Sequence, residues 1–349
     1  MTAATDTFSL AWQYHQANDL PRAEQLYREV LRTTPGHADA WCFLGAICHA
    51  QGRWPEAEQH LHRALQLAPD YPTAQNLLGI VLAQQGRHDE ATSCFRQLLN
   101  RHPEDAEGNS NLGNLLNLQG KHDEAIFHCR RSLQSNPHNP AAHNNLGNGL
   151  LQKGKRDEAA ASFEAALRLD PNFVESHLNL GAARHGQLRF EEAEAHYRAA
   201  LRLRPSNKLR VLLACLLPPI YNTLEELQTR RRRLVEDLRQ LRREGVVVDL
   251  ATDESSVDVP ALFYLPYQGL NDLDIQRDFA SLFRPLQLPP PTPRKPGGKI
   301  KIGFLSRFLK DHTIGRLMCG LIANLSREIF DVSVLSIGRH QDALAQRIQ

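Results

Sequence analysis

The sequence predicts a mainly α-helical chain: a superhelix of repeated helix pairs, then a helical connecting region, then the first βαβ unit of a Rossmann-like lobe. Three observations predict it. Proline recurs at a fixed interval through the first two hundred residues, small residues recur in register with it, and a strand–helix–strand pattern follows a proline-rich stretch near residues 288–299.

Pro35, Pro69, Pro103, Pro137, Pro171 and Pro205 each follow the last by 34 residues, the period of the tetratricopeptide repeat. Gly45, Gly79, Gly113, Gly147 and Gly181 lie ten residues after the first five prolines, and Ala23, Ala57, Ala91, Ala125, Ala159 and Ala193 twelve residues before each one. Small side chains at those places allow two helices to approach closely. The repeats run 4–37, 38–71, 72–105, 106–139, 140–173 and 174–207. Each reads as helix A, a turn usually marked by glycine (Gly52, Gly86, Gly120, Gly154), helix B, and a turn that proline closes. One such unit cannot bury its own apolar face, whereas a stack shares a core and curves, leaving a concave groove lined by helix A.

Two residues before the small glycine, helix A carries Phe43, Leu77, Asn111, Asn145 and Asn179. An amide offers a carbonyl acceptor and two N–H donors, so a ladder of asparagines can pair with a peptide backbone whatever its sequence. The same residues also suit a polar strip on a solvated face, which Asn114 and Asn148 extend. The H-D-E-A runs at 88–91 and 122–125 cluster ligand-type residues twice. Their histidines share a register position with Leu20, Trp54 and Phe190, which favours packing over metal binding.

Beyond the last repeat, LRVLLACLLPPI (209–220) reads as an apolar helix capping the open end of the stack. Residues 222–244 form an amphipathic helix. Leu224, Leu227, Leu234, Leu238 and Leu241 make its apolar stripe, and Arg230 to Arg233 fall among interleaved acids, the pattern of a solvated face. The capping helices and connecting region fill 208–287, and LPPPTPRKPGGK (288–299) is a proline-rich joint. Residues 300–349 open a doubly wound sheet: Ile300 to Ser306 a strand, Thr313 to Ser326 a helix, Phe330 to Gly338 a second strand. Ligands of such sheets bind beyond the carboxyl ends of the strands, which places His312 at a chemically privileged edge. A histidine in a loop is equally an ordinary surface or capping residue.

With Lys and Arg at 41 against Asp and Glu at 39, the chain lacks the basic field that non-specific nucleic-acid binding requires. Six scattered cysteines without a C-x-x-C pair, a start with no secretory pattern and no apolar run of membrane-spanning length predict a cytoplasmic protein, without nucleic acid or membrane as partner.

The N-L-G steps at 111–113, 145–147 and 179–181, then GFLSRFLKDHTIGRLM (303–318) after the joint, with FYLPYQGLND (263–272) before it, resemble the protein O-linked N-acetylglucosaminyltransferases, their bacterial SPINDLY-like branch in particular. The resemblance implies a GT-B fold of two Rossmann-like lobes that moves N-acetylglucosamine from UDP-GlcNAc to Ser/Thr hydroxyls of proteins. A plant relative transfers fucose. It also implies that Asn111, Asn145 and Asn179 hold the acceptor polypeptide and that His312 is a catalytic base or positions substrate. Arg307-Phe308-Leu309 replaces the family's frequent S-D-F, and Arg316 stands where the family has a second histidine. The family's donor site lies mainly in the second lobe, and the sequence reaches only about fifty residues into the first. The expectation is therefore no bound cofactor, no Gly-rich phosphate loop, and no UDP-sugar binding or transfer by this chain alone. The alternative is a non-catalytic tetratricopeptide-repeat adaptor.

Overall fold

The computed structural model describes residues 2–218, 220–249, 270–284, 300–306 and 330–336. The chain divides into two compact units, Met1–Arg284 and Pro285–Gln349.

In the first unit six helix pairs follow one another: α1 (Thr2–Gln16) with α2 (Leu20–Thr33), α3 (Ala38–Ala50) with α4 (Trp54–Leu67), α5 (Pro72–Gln84) with α6 (His88–Arg101), α7 (Ala106–Leu118) with α8 (His122–Ser135), α9 (Pro140–Gln152) with α10 (Arg156–Leu169), and α11 (Val174–Gly186) with α12 (Phe190–Leu203). Within each pair the turn residue is left-handed: Asn18 (φ 59°), Gly52 (72°), Gly86 (76°), Gly120 (75°), Gly154 (77°) and Leu188 (63°). The following N–H then reaches back to the third residue from the helix end, as in Arg87 N to Leu82 O at 2.9 Å and Arg189 N to Arg184 O at 2.9 Å, which satisfies carbonyls that the helix terminus would otherwise leave bare. Glycine is thus the usual but not the universal occupant of this turn.

In four pairs the recurring glycine of helix A meets a large residue of helix B (Leu61, Phe95, Phe163 or Tyr197), while Gly113 meets Cys129 and the first pair carries Ala11 in its place. A Cβ on Gly79 would lie 2.5 Å from the Phe95 ring, and one on Gly147 would lie 2.5 Å from Phe163. The six register alanines are completely buried beside them. Farther out, a side chain near the start of helix A binds the carbonyl of the preceding turn proline: Trp41 Nε1 to Pro35 O (2.9 Å), Asn109 Nδ2 to Pro103 O (2.9 Å), and His143 and His177 Nε2 to the Pro137 and Pro171 carbonyls (3.1 and 3.0 Å). Three different residue types thereby close the same turn at four places, because each carries an N–H of suitable reach. The histidines of the H-D-E-A runs do not pack as expected. His88 is exposed, and His122 is only half-buried, with Nδ1 3.4 Å from Asn117 Oδ1, because this first residue of helix B sits at the rim of the pair.

After the stack come α13 (Asn207–Ala214), α14 (Leu224–Arg243) and α15 (Leu273–Ala280). Leu209 and Leu212 of α13 join Leu178, Tyr197 and Ala200 of the last repeat, while Val211, Ala214 and Cys215 face Leu234, Leu238 and Leu241 of α14. The short helix therefore seals the stack on one side and seats α14 on the other. Two expectations need correcting. The α14 stripe is shorter than its leucine spacing suggests, since Leu224 is 69% exposed; the core begins only where α13 and α15 reach the helix. The four-arginine run is also not simply solvated. Arg230 pairs with Glu191 (2.8 Å) and Arg233 with Glu194 (2.8 Å), both on α12, and Arg231 pairs with Asp272 (2.5 Å) beside α15. Successive arginines on a helix point in different directions, so one run ties α14 to two neighbours.

In the second unit β1 (Ile300–Ser306) and β2 (Phe330–Ser336) pair in parallel, from Ile300 against Phe330 to Ser306 against Ser336. Two parallel strands require a crossover connection. The helix expected over 313–326 in that crossover lies outside the described residues, as do the proline-rich joint and His312.

Candidate peptide-binding groove

Curvature follows from which helices touch. Neighbouring first helices are in contact (α3 with α5, α5 with α7, α7 with α9, α9 with α11), and the second helices show no comparable contact with one another among the described residues. The first helices therefore line the inside of the curve.

The ladder residues lie on this inner wall, and each binds the rung before its own. Asn111 Nδ2 donates to Asn76 Oδ1 (2.9 Å), Asn145 Nδ2 to the Ser110 carbonyl (3.3 Å), and Asn179 Nδ2 to Asn144 Oδ1 (3.0 Å). Each amide is thus oriented by the preceding repeat. Asn145 is buried, and Asn111 and Asn179 are half-buried. No hydrogen bond ends on the Oδ1 atoms of these three residues among the described residues, so each turns an acceptor of fixed orientation away from the rung that holds its NH₂ group. Asn144 is anchored further by Ser176 Oγ (3.1 Å), and Asn76 Nδ2 donates to Glu107 (3.2 Å).

Asn76 and Asn144 were not singled out by the sequence. They occupy the register place just before the ladder, where other repeats carry Cys42, Ser110 and Leu178. The available signal was a 35-residue spacing, Asn76 to Asn111 and Asn144 to Asn179, one longer than the repeat because the bond joins neighbouring register positions across rungs.

Toward the chain's start the same wall changes chemistry. Phe43, at the ladder position, packs against Trp12 (ring centroids 4.7 Å apart), Tyr27 (5.6 Å) and Phe8 (6.0 Å). Trp12 remains 38% exposed, and Leu77 and Ile80 are partly buried on the next rung. The wall passes from aromatic and aliphatic to amide along its length. Among the described residues no helix is long and apolar enough to cross a membrane.

Residues 36–104, then 76–140 and 144–208, match tetratricopeptide-repeat family profiles, and residues 7–29 match another of the same description. The helix pairs are tetratricopeptide repeats. Among solved structures, the chain is similar to PilW, a widely conserved type IV pilus biogenesis factor (20% identity over 61% of this chain and 99% of that one, TM-score 0.55). It is likewise similar to PilF of Pseudomonas aeruginosa (23% identity over 66% and 96%, TM-score 0.52) and to a tetratricopeptide-repeat protein of Parabacteroides merdae (16% over 81% and 99%, TM-score 0.52). At these identities the likeness is one of fold. No curated protein matches the sequence significantly.

Proposed function

We propose that the inner wall of the tetratricopeptide superhelix holds an extended polypeptide, taking its apolar side chains at the Trp12–Phe43–Leu77 end and its backbone N–H groups at Asn111, Asn145 and Asn179. The observation that carries this reading is the tethering of each ladder amide through Nδ2 with Oδ1 unbonded among the described residues, which fixes an acceptor in place before the ligand arrives. Preorganised acceptors lose little entropy on binding, and they read backbone in preference to sequence. The test uses a photo-crosslinking amino acid at Asn114, exposed and one turn beyond Asn111, and in a second variant at Ser93, exposed on a second helix. A synthetic peptide with an aliphatic N-terminal half and a Ser/Thr-rich C-terminal half should be captured from position 114 and not from 93. Equal capture from both would contradict the reading.

The parallel pairing of β1 with β2 after the proline-rich joint favours a second, larger reading, in which the groove presents acceptor proteins to a glycosyltransferase region of the O-linked N-acetylglucosaminyltransferase type, with His312 handling the acceptor hydroxyl. In a protein that carries both catalytic lobes, His312→Ala should lower sugar transfer about a hundredfold if the imidazole is a general base. A loss under tenfold would remove it from that role.

A further inference from the structure

Cys48 at the end of α3 and Glu56 and His60 of α4 bring a sulfur, a carboxylate oxygen and an imidazole nitrogen within 4.8 Å of one another. Glu56 and His60 are four residues apart and so share one helix face, against which the last turn of α3 sets the thiol. The repeat register shows how unusual this rung is. At the Cys48 position three other repeats carry the core leucines Leu82, Leu116 and Leu150. At the His60 position the other polar side chains are all engaged: Cys94 with the Gln75 carbonyl (3.2 Å), His128 with Asn109 (2.9 Å), Ser162 with the Glu158 carbonyl (2.9 Å) and His196 with His177 (3.1 Å). His60 lacks such a partner because the facing residue is Trp41. The Trp41 indole N–H is spent on the Pro35 carbonyl, and its ring lies over the imidazole at 5.3 Å and 34°. Among the described residues neither ring nitrogen of His60 is hydrogen-bonded.

We propose that Cys48, Glu56 and His60 form a three-residue site for a divalent cation of the zinc class, with water completing a tetrahedron. The donor set selects the metal: thiolate and imidazole favour Zn²⁺ over the hard cations Mg²⁺ and Ca²⁺. Ligand bonds of about 2.0–2.3 Å bring donors within roughly 3.3–3.8 Å of each other, so the site must close by about 1 Å. Exposed Glu56, in the first turn of α4, is the group able to move. Its present partner Arg53 touches only Oε2 (2.9 Å) and holds Glu24 with its other nitrogen (2.6 Å), leaving the second Glu56 oxygen to a metal. Glu24 and Glu56 balance Arg28 and Arg53 around the site. Binding replaces the S–H bond of Cys48 with a metal–sulfur bond and releases one proton to solvent.

The test is titration of the full chain, stripped with chelator, with Co²⁺ as the spectroscopic stand-in for Zn²⁺. One equivalent should give a near-ultraviolet thiolate-to-metal band that Zn²⁺ then abolishes. Cys48→Ser should remove the band, and His60→Ala should weaken binding by more than about tenfold. A wild-type chain without the band at saturating Co²⁺, or a band that survives in Cys48→Ser through another of the cysteines, would overturn the site. Should Cys48→Ser unfold by circular dichroism, His60→Ala decides alone, since His60 is only half-buried: undiminished Co²⁺ affinity there would equally overturn it.

Discussion

Leu188 holds a backbone conformation that its side chain disfavours. Its φ of 63° falls where four sister repeats use glycine, and 62% of its surface meets solvent, so nothing gained by packing offsets the clash of Cβ with the following carbonyl. Leu188→Gly should stabilise the protein by about 0.5–1 kcal/mol, the strain relieved less the added entropy of an unfolded glycine. A lower urea midpoint than wild type would refute that. The helix-A glycines behave oppositely. A methyl at Gly147 would stand 2.5 Å from Phe163, and Gly147→Ala should cost about 1–3 kcal/mol through forced repacking, read as a fall in the same midpoint. Both roles of glycine were legible because the register repeats them. That a leucine could occupy the turn was not, since residue type alone does not report φ.

Two seams between adjacent repeats are stitched by the same carboxylate contact. Glu58 on α4 receives Arg87 (2.8 Å) and Gln85 (3.1 Å) from the next repeat, as Glu24 on α2 receives Arg53 (2.6 Å). Burial raises the pKa of Glu58, but the hydrogen bonds from Arg87 and Gln85 and the charge of Arg87 together outweigh it and hold the carboxyl below its ordinary value of 4.5. A carboxylate depressed in the folded state contributes stability that is complete above the unfolded value and is lost as pH falls through the folded one. Glu58→Gln should therefore cost about 1 kcal/mol at pH 7, and the difference from wild type should shrink as pH falls below 4.5 and through the lower folded value. A difference that persisted in acid would assign the cost to packing. At the far end Arg233→Ala should loosen α14 from α12, seen as faster amide exchange in α14 with the first four repeats unchanged. Helix existence was plain from the sequence, but the partner of each arginine was not, because a helical run fixes directions and not what stands opposite.

For the whole molecule, the superhelix follows from the 34-residue period and its small residues, since each unit can bury its apolar face only on a neighbour. The groove was legible in kind, with the asparagines correctly put on helix A, and incomplete in detail. The ladder was expected to reach outward with its full amide, whereas its donors are committed to Asn76, Ser110 and Asn144 of the preceding rungs. That pairing joins positions out of register by one, which a search for strict repetition passes over. It also makes the ladder part of the seam, so removing it tests binding only if the stack survives. The decisive measurement is therefore a calorimetric titration of the aliphatic–polar peptide into wild type and into Asn111→Ala/Asn145→Ala/Asn179→Ala, each confirmed as folded by circular dichroism. At about 0.5–1.5 kcal/mol for each lost hydrogen bond, three should weaken binding at least about tenfold. Unchanged affinity in a folded triple variant would contradict the claim that this wall holds a polypeptide by its backbone.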